Sequence, residues 1–215
     1  IGFINANYHG VFTTPIPPYD PRGCDLSSSS GATAVFLIEA GIPSGLKFSN
    51  VFSVGNSAQI GIEEVLEYMD QTHDPDRDSS IKLLYLESVA NPQKLLKHAS
   101  SLIRKGVRIA AIKAGSTVAG SRAAASHTGA LTNSDMVVRA LFRKAGIVYC
   151  SSREELLSVA SVFHYKELKG QNIAVITHAG GSAVMLTDAL SLGGLQVPAI
   201  EGPDAEKLLS NLHTG

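Results

Sequence analysis

Short apolar segments that alternate with helical patterns constrain the fold of this chain more than any other feature. They are NVFSVG at about 50–55, IKLLYLES at 81–88, VRIAAIKAG at 107–115, IVYC at 147–150 and IAVITHAGG at 173–181. Apolar and polar residues do not alternate within them, which is typical of strands buried on both faces. The intervening helical pattern is clearest after Asn91, where Pro92 suits a first turn and Gly106 suits a helix end. The pattern predicts an α/β fold in which helices cover a parallel sheet.

Two stretches predict the boundaries along the chain. Residues 11–23, VFTTPIPPYDPRG, hold four of the nine prolines, and we interpret them as a linker because proline fixes φ and removes a backbone donor. The polar stretch HYKELKGQN at 164–172 precedes a new series of strand, helix, strand (LQVPAI) and helix start. We therefore expect an initial segment at 1–23, a first domain at 24–169 and an incomplete second domain at 170–215.

Composition excludes several classes of function. With 18 basic and 19 acidic residues the net charge is −1, so the chain lacks the electrostatic signature of a protein that binds nucleic acid or an anionic membrane. No apolar run reaches the roughly 18 to 20 residues of a membrane span. Cys24 and Cys150 do not form a CxxC motif, and no histidine has a partner at metal-ligand spacing. We expect no disulfide and no metal site, and a reduced cytoplasmic compartment.

One histidine lies among small residues in SRAAASHTGALTNSD, at 121–135. Small neighbours allow a charged group of another molecule to approach, and an imidazole acts as nucleophile or proton carrier near neutral pH. We place His127 in a loop that precedes a helix beginning near Asn133. The stretch fits either a catalytic His127 or a structural loop histidine. His178, in ITHAGG, also follows a strand, and we interpret it as a turn residue.

Three further stretches offer candidate ligands. The serines at 27–30 and Gly31 precede an apolar helix pattern, which suits either phosphate binding at a helix N-terminus or ordinary N-capping. Glu87 ends the strand IKLLYLE, at the edge where parallel sheets usually bind ligands, and its alternative is simple solvent exposure. Gly55 and Asn56 follow another strand, where a sharp turn alone would explain them.

The ordered set SSSSGA, SVGN, YLESV, KAGST…SRAAASHTGAL and ITHAGG resembles the nucleoside-diphosphate-forming acyl-CoA synthetases, relatives of the succinyl-CoA synthetase alpha subunit. SHTGAL in its alanine-rich context is the specific element. The resemblance covers most of the chain and implies the end of a CoA-binding domain at 1–23, a flavodoxin-like ligase domain at 24–169, and the start of a second such domain at 170–215. We expect the sequence, which has no initiator Met, to be a piece of a longer chain that does not complete a reaction cycle alone.

The resemblance implies an acid–CoA ligase that interconverts acyl-CoA, ADP and phosphate with acid, ATP and CoA through an acyl phosphate and a phosphohistidine. His127 would be phosphorylated, and Glu87 would accept a hydrogen bond from its other ring nitrogen. The implied phosphate ligands are Ser29, Ser30, Gly31, Gly55, Asn56, Ser126, Thr128 and Gly129.

The resemblance also implies cofactors and partners. CoA, ADP or ATP and Mg²⁺ would serve the complete enzyme, with none bound tightly by this part. An ATP-grasp domain or subunit would be the protein partner, in a homo- or hetero-oligomer. The acyl group stays open among acetate, succinate and larger acids.

The sequence departs from the family pattern in two places. SSSSG replaces the more usual Ser-Gln-Ser-Gly or Ser-Arg-Ser-Gly, and His178 stands where asparagine is common, which leaves room for a secondary role. Two alternatives remain: a regulatory ligase-like region of a protein acetyltransferase, or a noncatalytic binding module. Such acetyltransferases generally lack the histidine, so the presence of His127 and Glu87 argues against the first alternative.

Overall fold

The computed structural model describes residues 2–10, 16–128, 134–165 and 168–211, without the side chains of His127 and Thr128. Contacts divide the chain into two compact units, Ile1–Tyr165 and Lys166–Gly215. Among the described helices, none combines the length and the hydropathy needed to cross a bilayer.

Within its described residues the first unit contains six strands, six α-helices and a short 3₁₀ helix at Ile42–Ser44. The strands are β1 (Phe3–Ile4), β2 (Tyr19–Ser28), β3 (Phe48–Ser53), β4 (Ile81–Leu86), β5 (Arg108–Lys113) and β6 (Val148–Cys150). The helices are α1 (Gly31–Gly41), α2 (Ile62–Thr72), α3 (Pro92–Arg104), α4 (Val118–Thr128), α5 (Asp135–Ala145) and α6 (Arg153–Phe163). The second unit contains α7 (Gly180–Leu192) and α8 (Pro203–Leu209).

One sheet has the strand order β1-β3-β2-β4-β5-β6. Only β1 runs antiparallel to its neighbour, and the other five strands are parallel. Among those five, the first strand lies between the second and the third, which is the flavodoxin-like order. The predicted α/β, flavodoxin-like fold is therefore confirmed. In such sheets ligands bind outside the carboxyl ends of the strands where the order reverses, here at β2 and β4.

Apolar side chains on both faces of the sheet explain the continuous hydrophobic runs. In β4, Leu84 and Leu86 face a core formed with α2, α3 and α5, while Ile81 and Leu83 face a core formed with α1 and α6. Each of these four side chains is at most 2% exposed, and burying one such side chain contributes about 1.5 to 3 kcal/mol. The central strands therefore carry no period-2 alternation.

The predicted helix after Asn91 is confirmed with its caps. The Asn91 side chain accepts a hydrogen bond from Lys94 N, and Pro92 begins α3. Gly106 follows the helix with a φ of 90°, in the left-handed region that glycine adopts at low cost.

The linker interpretation of residues 11–23 needs correction at its C-terminal end. Residues 19–23 belong to β2, a central strand of the sheet, while residues 11–15 lie outside the described residues. The hydrophobic pattern does not reveal this strand because its buried residues include Asp25, Ser27 and Ser28. The side chains of Asp25 and Ser28 form hydrogen bonds in the interior there, in place of apolar contacts.

The strands predicted in the second half, IAVITHAGG and LQVPAI, are also corrected. Within residues 168–211 these segments form a single parallel bridge between Asn172 and Gln196, supported by a hydrogen bond of 2.8 Å from Ile173 N to Gln196 O. Two strands without further neighbours are marginally stable, so the pairing does not extend into a ladder.

Candidate active site

Serines connect β2 to α1 at the carboxyl edge of the sheet. We call residues 28–31, from the last residue of β2 to the first residue of α1, the serine loop. Ser29 N donates to Tyr85 O of β4 at 2.9 Å. The buried Ser28 hydroxyl donates to Ser30 O at 2.7 Å and accepts from Ser30 N at 3.2 Å. These bonds fix the loop at the point where the strand order reverses.

The serine loop leads directly into α1. Ser30 is its N-cap, and the Ser30 hydroxyl accepts from Thr33 N at 3.3 Å, so the capping interpretation is confirmed. Gly31 begins the helix, and the first turn contains no acidic residue. An 11-residue helix thus presents the positive end of its dipole and backbone N–H groups at this edge, an arrangement that suits an anion.

The turn after β3 lies beside the serine loop. Val54 N donates to Ser28 O at 2.9 Å, which joins the two strand ends. Gly55 has a φ of 57°, in the left-handed region that a sharp turn requires, and Asn56 is exposed. The turn interpretation accounts for both residues, and phosphate binding by them stays a prediction.

Glu87 directly follows β4 and is only 9% exposed. Its alternative as a simple solvent-exposed residue is therefore wrong. Burial, together with the negative charge of Glu87, raises the pKa of the Tyr85 hydroxyl, against a hydrogen bond with Thr33 that lowers it. A buried carboxylate consequently lies among the residues at the end of β4.

Lys113 is a residue of this edge that the sequence reasoning missed. It ends β5 opposite Leu86 of β4 and is 2% exposed, and its ammonium donates to Ala114 O. Burial lowers the pKa of Lys113, while the charges of Asp135 and Glu87 raise it. The signal was available in the sequence, because Lys113 ends an apolar strand as Glu87 does.

His127 lies in the last turn of α4, which corrects its predicted placement in a loop. Thr117 starts the helix: its hydroxyl accepts from Gly120 N at 3.0 Å, and its carbonyl accepts from Ser121 N at 2.7 Å. Small residues suggested a loop, but alanine, which is frequent here, is also the strongest helix former.

The remaining predicted ligands near His127 are only partly described. Ser126 is exposed, the side chains of His127 and Thr128 are not described, and Gly129 lies outside the described residues. The contact between His127 and Glu87 therefore stays a prediction.

The other histidine with a predicted position, His178, is exposed and lies just before α7 in the second unit. Ala179 N donates to the Thr177 hydroxyl at 3.1 Å, so the segment forms a local turn, as interpreted. Across the described ranges, no cluster of three or more His, Cys, Asp or Glu side chains is arranged to hold a metal ion.

Known proteins match both the sequence and the fold. The chain is 34% identical over 185 residues to the alpha subunit of the ADP-forming acetate–CoA ligase II of Pyrococcus furiosus, which covers 86% of this chain and 39% of that protein. It is 33% identical over 211 residues to the ADP-forming acetate–CoA ligase of Methanocaldococcus jannaschii, covering 97% and 29%.

A solved structure matches as well. The dinucleotide forming acetyl-coenzyme A synthetase 1 of Ca. Korarchaeum cryptofilum, in complex with phosphate and ADP, superposes with a TM-score of 0.81 at 25% identity, covering 99% of this chain and 45% of that one. This chain spans less than half the length of each of these three proteins. Residues 21–163 match the family model described as a succinyl-CoA ligase like flavodoxin domain. Since that match covers more than half of the sequence, the chain belongs to the succinyl-CoA ligase-like flavodoxin domain family.

Proposed function

We propose that this chain is the part of an ADP-forming acid–CoA ligase that carries the phosphorylated histidine. Such a ligase interconverts acyl-CoA, ADP and phosphate with acid, ATP and CoA. The observation that carries the proposal is the serine loop at the N-terminus of α1. Ser29 N joins this loop to β4, the strand that the buried Glu87 directly follows. The relatives named as ADP-forming ligases and the structural neighbour solved with phosphate and ADP support it.

The proposed reaction has three steps. A phosphate oxygen attacks the thioester carbonyl of acyl-CoA, and CoA leaves as its thiolate, giving an acyl phosphate. An unprotonated ring nitrogen of His127 then attacks phosphorus and releases the carboxylate of the acid. Finally an ADP oxygen takes the phosphoryl group from the histidine and forms ATP. The serine loop offers N–H groups and hydroxyls to the phosphate in the first two steps.

Glu87 and Lys113 prepare the histidine in this scheme. The second ring nitrogen of His127 donates to the Glu87 carboxylate, which fixes the tautomer and stabilises the positive charge formed on phosphorylation. The buried Lys113 ammonium lies at the end of the neighbouring strand, and its positive charge interacts with the negative charge of Glu87. In this scheme Glu87 accepts the hydrogen bond from a position that is only 9% exposed.

The proposed reaction requires a nucleotide, CoA and an acid besides phosphate. We propose an ATP-grasp domain or subunit as the partner that presents ADP or ATP with Mg²⁺, and CoA, phosphate and a small acid as the other substrates. The name of the Pyrococcus furiosus relative, a subunit alpha, supports a division among chains. In the proposed arrangement a CoA-binding domain precedes the first ligase domain, residues 24–169 form that ligase domain together with the β2 residues 19–23, and residues 170–215 begin the second. The two free cysteines fit a cytoplasmic compartment.

Labelling of the full-length protein with its ATP-grasp part tests the proposal. We expect incubation with labelled ATP and Mg²⁺ to place an acid-labile phosphoryl group on the peptide that contains His127, as mapped by mass spectrometry. His127→Ala should abolish the label, whereas the matched variant His178→Ala should keep it. A label that persists in His127→Ala, or that maps to His178, contradicts the proposed role.

A further inference from the structure

An uncharged groove lies beside the carboxyl end of β3. Its volume is about 640 Å³, within the range of small-molecule sites. The rings of Phe3 and Phe52 form one wall, with their centroids 4.9 Å apart, and the largely exposed Tyr8 and Ile60 lie at its rim. None of the described side chains that line it carries a formal charge.

The N-terminal segment forms this groove by folding back on itself against the sheet. Ser53 N donates to Gly2 O at 2.9 Å and Gly10 N donates to Phe3 O at 2.8 Å. These backbone bonds, with the antiparallel pairing of β1 and β3, hold Phe3 over Phe52. The aromatic wall is therefore part of the folded unit.

The groove adjoins the serine loop through one shared residue. Val54 lines the groove, and its N–H donates to Ser28 O at 2.9 Å. Ser28 in turn holds Ser30 O through its hydroxyl at 2.7 Å. If the reacting carbonyl of a substrate lies at the serine loop, the rest of the substrate can therefore reach the apolar surface of the groove.

We propose that this groove binds the hydrocarbon body of the acyl group, and that the acid is a monocarboxylic acid with an uncharged body considerably larger than the methyl group of acetate. The inference rests on the proposed function, since it takes the acyl phosphate to form at the serine loop. Apolar surface removed from water along the groove stabilises a large body. A second carboxylate, as in a dicarboxylic acid, would lose hydration there without a partner.

Kinetics of the full-length protein, assembled with its ATP-grasp part, test this assignment. Acyl-CoA formation is measured with acetate and with 3-phenylpropionate, and kcat and KM are determined for each acid. Ala58 lines the groove and is exposed, so Ala58→Phe narrows the groove without disturbing the core. Ala140, exposed on α5 and outside the groove lining, provides the matched control Ala140→Phe.

We expect Ala58→Phe to raise the KM for 3-phenylpropionate about tenfold relative to the KM for acetate, the size of effect that a changed apolar pocket produces. Ala140→Phe should leave that ratio unchanged. Equal effects of Ala58→Phe on both acids, or a wild-type protein that uses acetate but not 3-phenylpropionate, would overturn the assignment.

A binding measurement separates this inference from the proposed function. If no phosphohistidine forms and no acid is turned over, the proposed function fails. Saturation-transfer NMR with 3-phenylpropionate and the same full chain then tests whether the groove binds the acid. Binding that is lost in Ala58→Phe and kept in Ala140→Phe supports the groove as a site. The absence of binding to the wild-type chain overturns it.

Discussion

Buried carboxylates and buried lysines meet on two parts of the same sheet: Asp25 with Lys82 within β2 and β4, and Glu87 with Lys113 at the carboxyl ends of β4 and β5. Each of these four residues is at most 9% exposed. The first two form a direct ion pair, whereas the described side chains of Glu87 and Lys113 form none within 4 Å. The comparison therefore distinguishes a buried ion pair from two buried charged side chains that do not pair with each other.

Asp25 and Lys82 pair with each other, and both groups form further hydrogen bonds to neighbouring residues. The Lys82 ammonium contacts the Asp25 carboxylate and donates to Ser79 O at 2.8 Å. The other carboxylate oxygen accepts from Asn50 N at 3.0 Å and from its side-chain amide at 2.8 Å. With its hydrogen bonds made inside the sheet, this pair has a structural role.

The charges at the carboxyl edge are arranged differently. Within the described residues, the Lys113 ammonium has one acceptor, Ala114 O, although it can donate three hydrogen bonds. Glu87 lies nearby without pairing directly with it. Buried charge is costly unless it is paired, and the phosphoryl site proposed above would account for charged side chains at this edge of the sheet.

Lys82→Met gives the largest expected effect on stability. It leaves the Asp25 carboxylate buried without its cation, and the free energy of unfolding should fall by about 3 to 5 kcal/mol, as measured by urea denaturation. The double variant Asp25→Leu/Lys82→Met removes both charges and should regain most of that loss. A double variant as unstable as the single one would show that the pair is not self-contained.

Glu87→Gln should act on the chemistry instead. The amide is neutral and stabilises a charged imidazole less well, so the initial rate of His127 phosphorylation should fall by about one to two powers of ten, corresponding to about 1.5 to 3 kcal/mol. Urea denaturation should show little change. Loss of folding together with phosphorylation would place Glu87 with Asp25 as a structural charge.

Lys113→Met should change the free energy of unfolding far less than Lys82→Met does. Because no complete ion pair is broken, removing the buried ammonium should leave the free energy of unfolding within about 1 kcal/mol of the wild type, or raise it. The rate of phosphorylation should fall about tenfold, since one favourable charge is lost from the site. A loss of several kcal/mol on urea denaturation would mean that Lys113 pairs as Lys82 does.

The same contrast explains which parts of this chain could be predicted. Strands such as β4 bury leucines on both faces, so hydrophobicity alone identified them and the parallel sheet. β2 was not recognised because its first residues lie in a proline-rich stretch and because it buries polar residues: Asp25 bonds to Asn50 and Lys82 of the partner strands, and the Ser28 hydroxyl bonds locally to Ser30 O.

The candidate site was predictable where residue type and strand end coincided. Glu87 was found in this way, and Lys113 was missed although it satisfies the same criterion. α4 was taken for a loop because small residues are typical of both loops and helices, and the choice depends on the Thr117 cap. The hydrogen bond from Val54 N to Ser28 O places the groove beside the serine loop. It depends on the pairing of two strands, so the local sequence does not indicate it.

Asp70 sharpens the comparison with a smaller, pH-dependent effect. Burial would raise the pKa of this carboxyl group, but hydrogen bonds from Lys105, Ser101 and His98 outweigh it and lower the pKa to about 2. A carboxylate with a lowered pKa contributes stability that is complete above its unfolded value near 4 and is lost as the pH falls through the folded value. We expect a loss of about 1 kcal/mol from this group between pH 5 and 2, because the Lys105 side chain is 41% exposed and water weakens its bond. Urea denaturation of wild type and Asp70→Asn across this range measures it: the difference between the two proteins should shrink towards pH 2. A constant difference would show that Asp70, although hydrogen-bonded as fully as Asp25, stabilises the fold through packing and not through its charge.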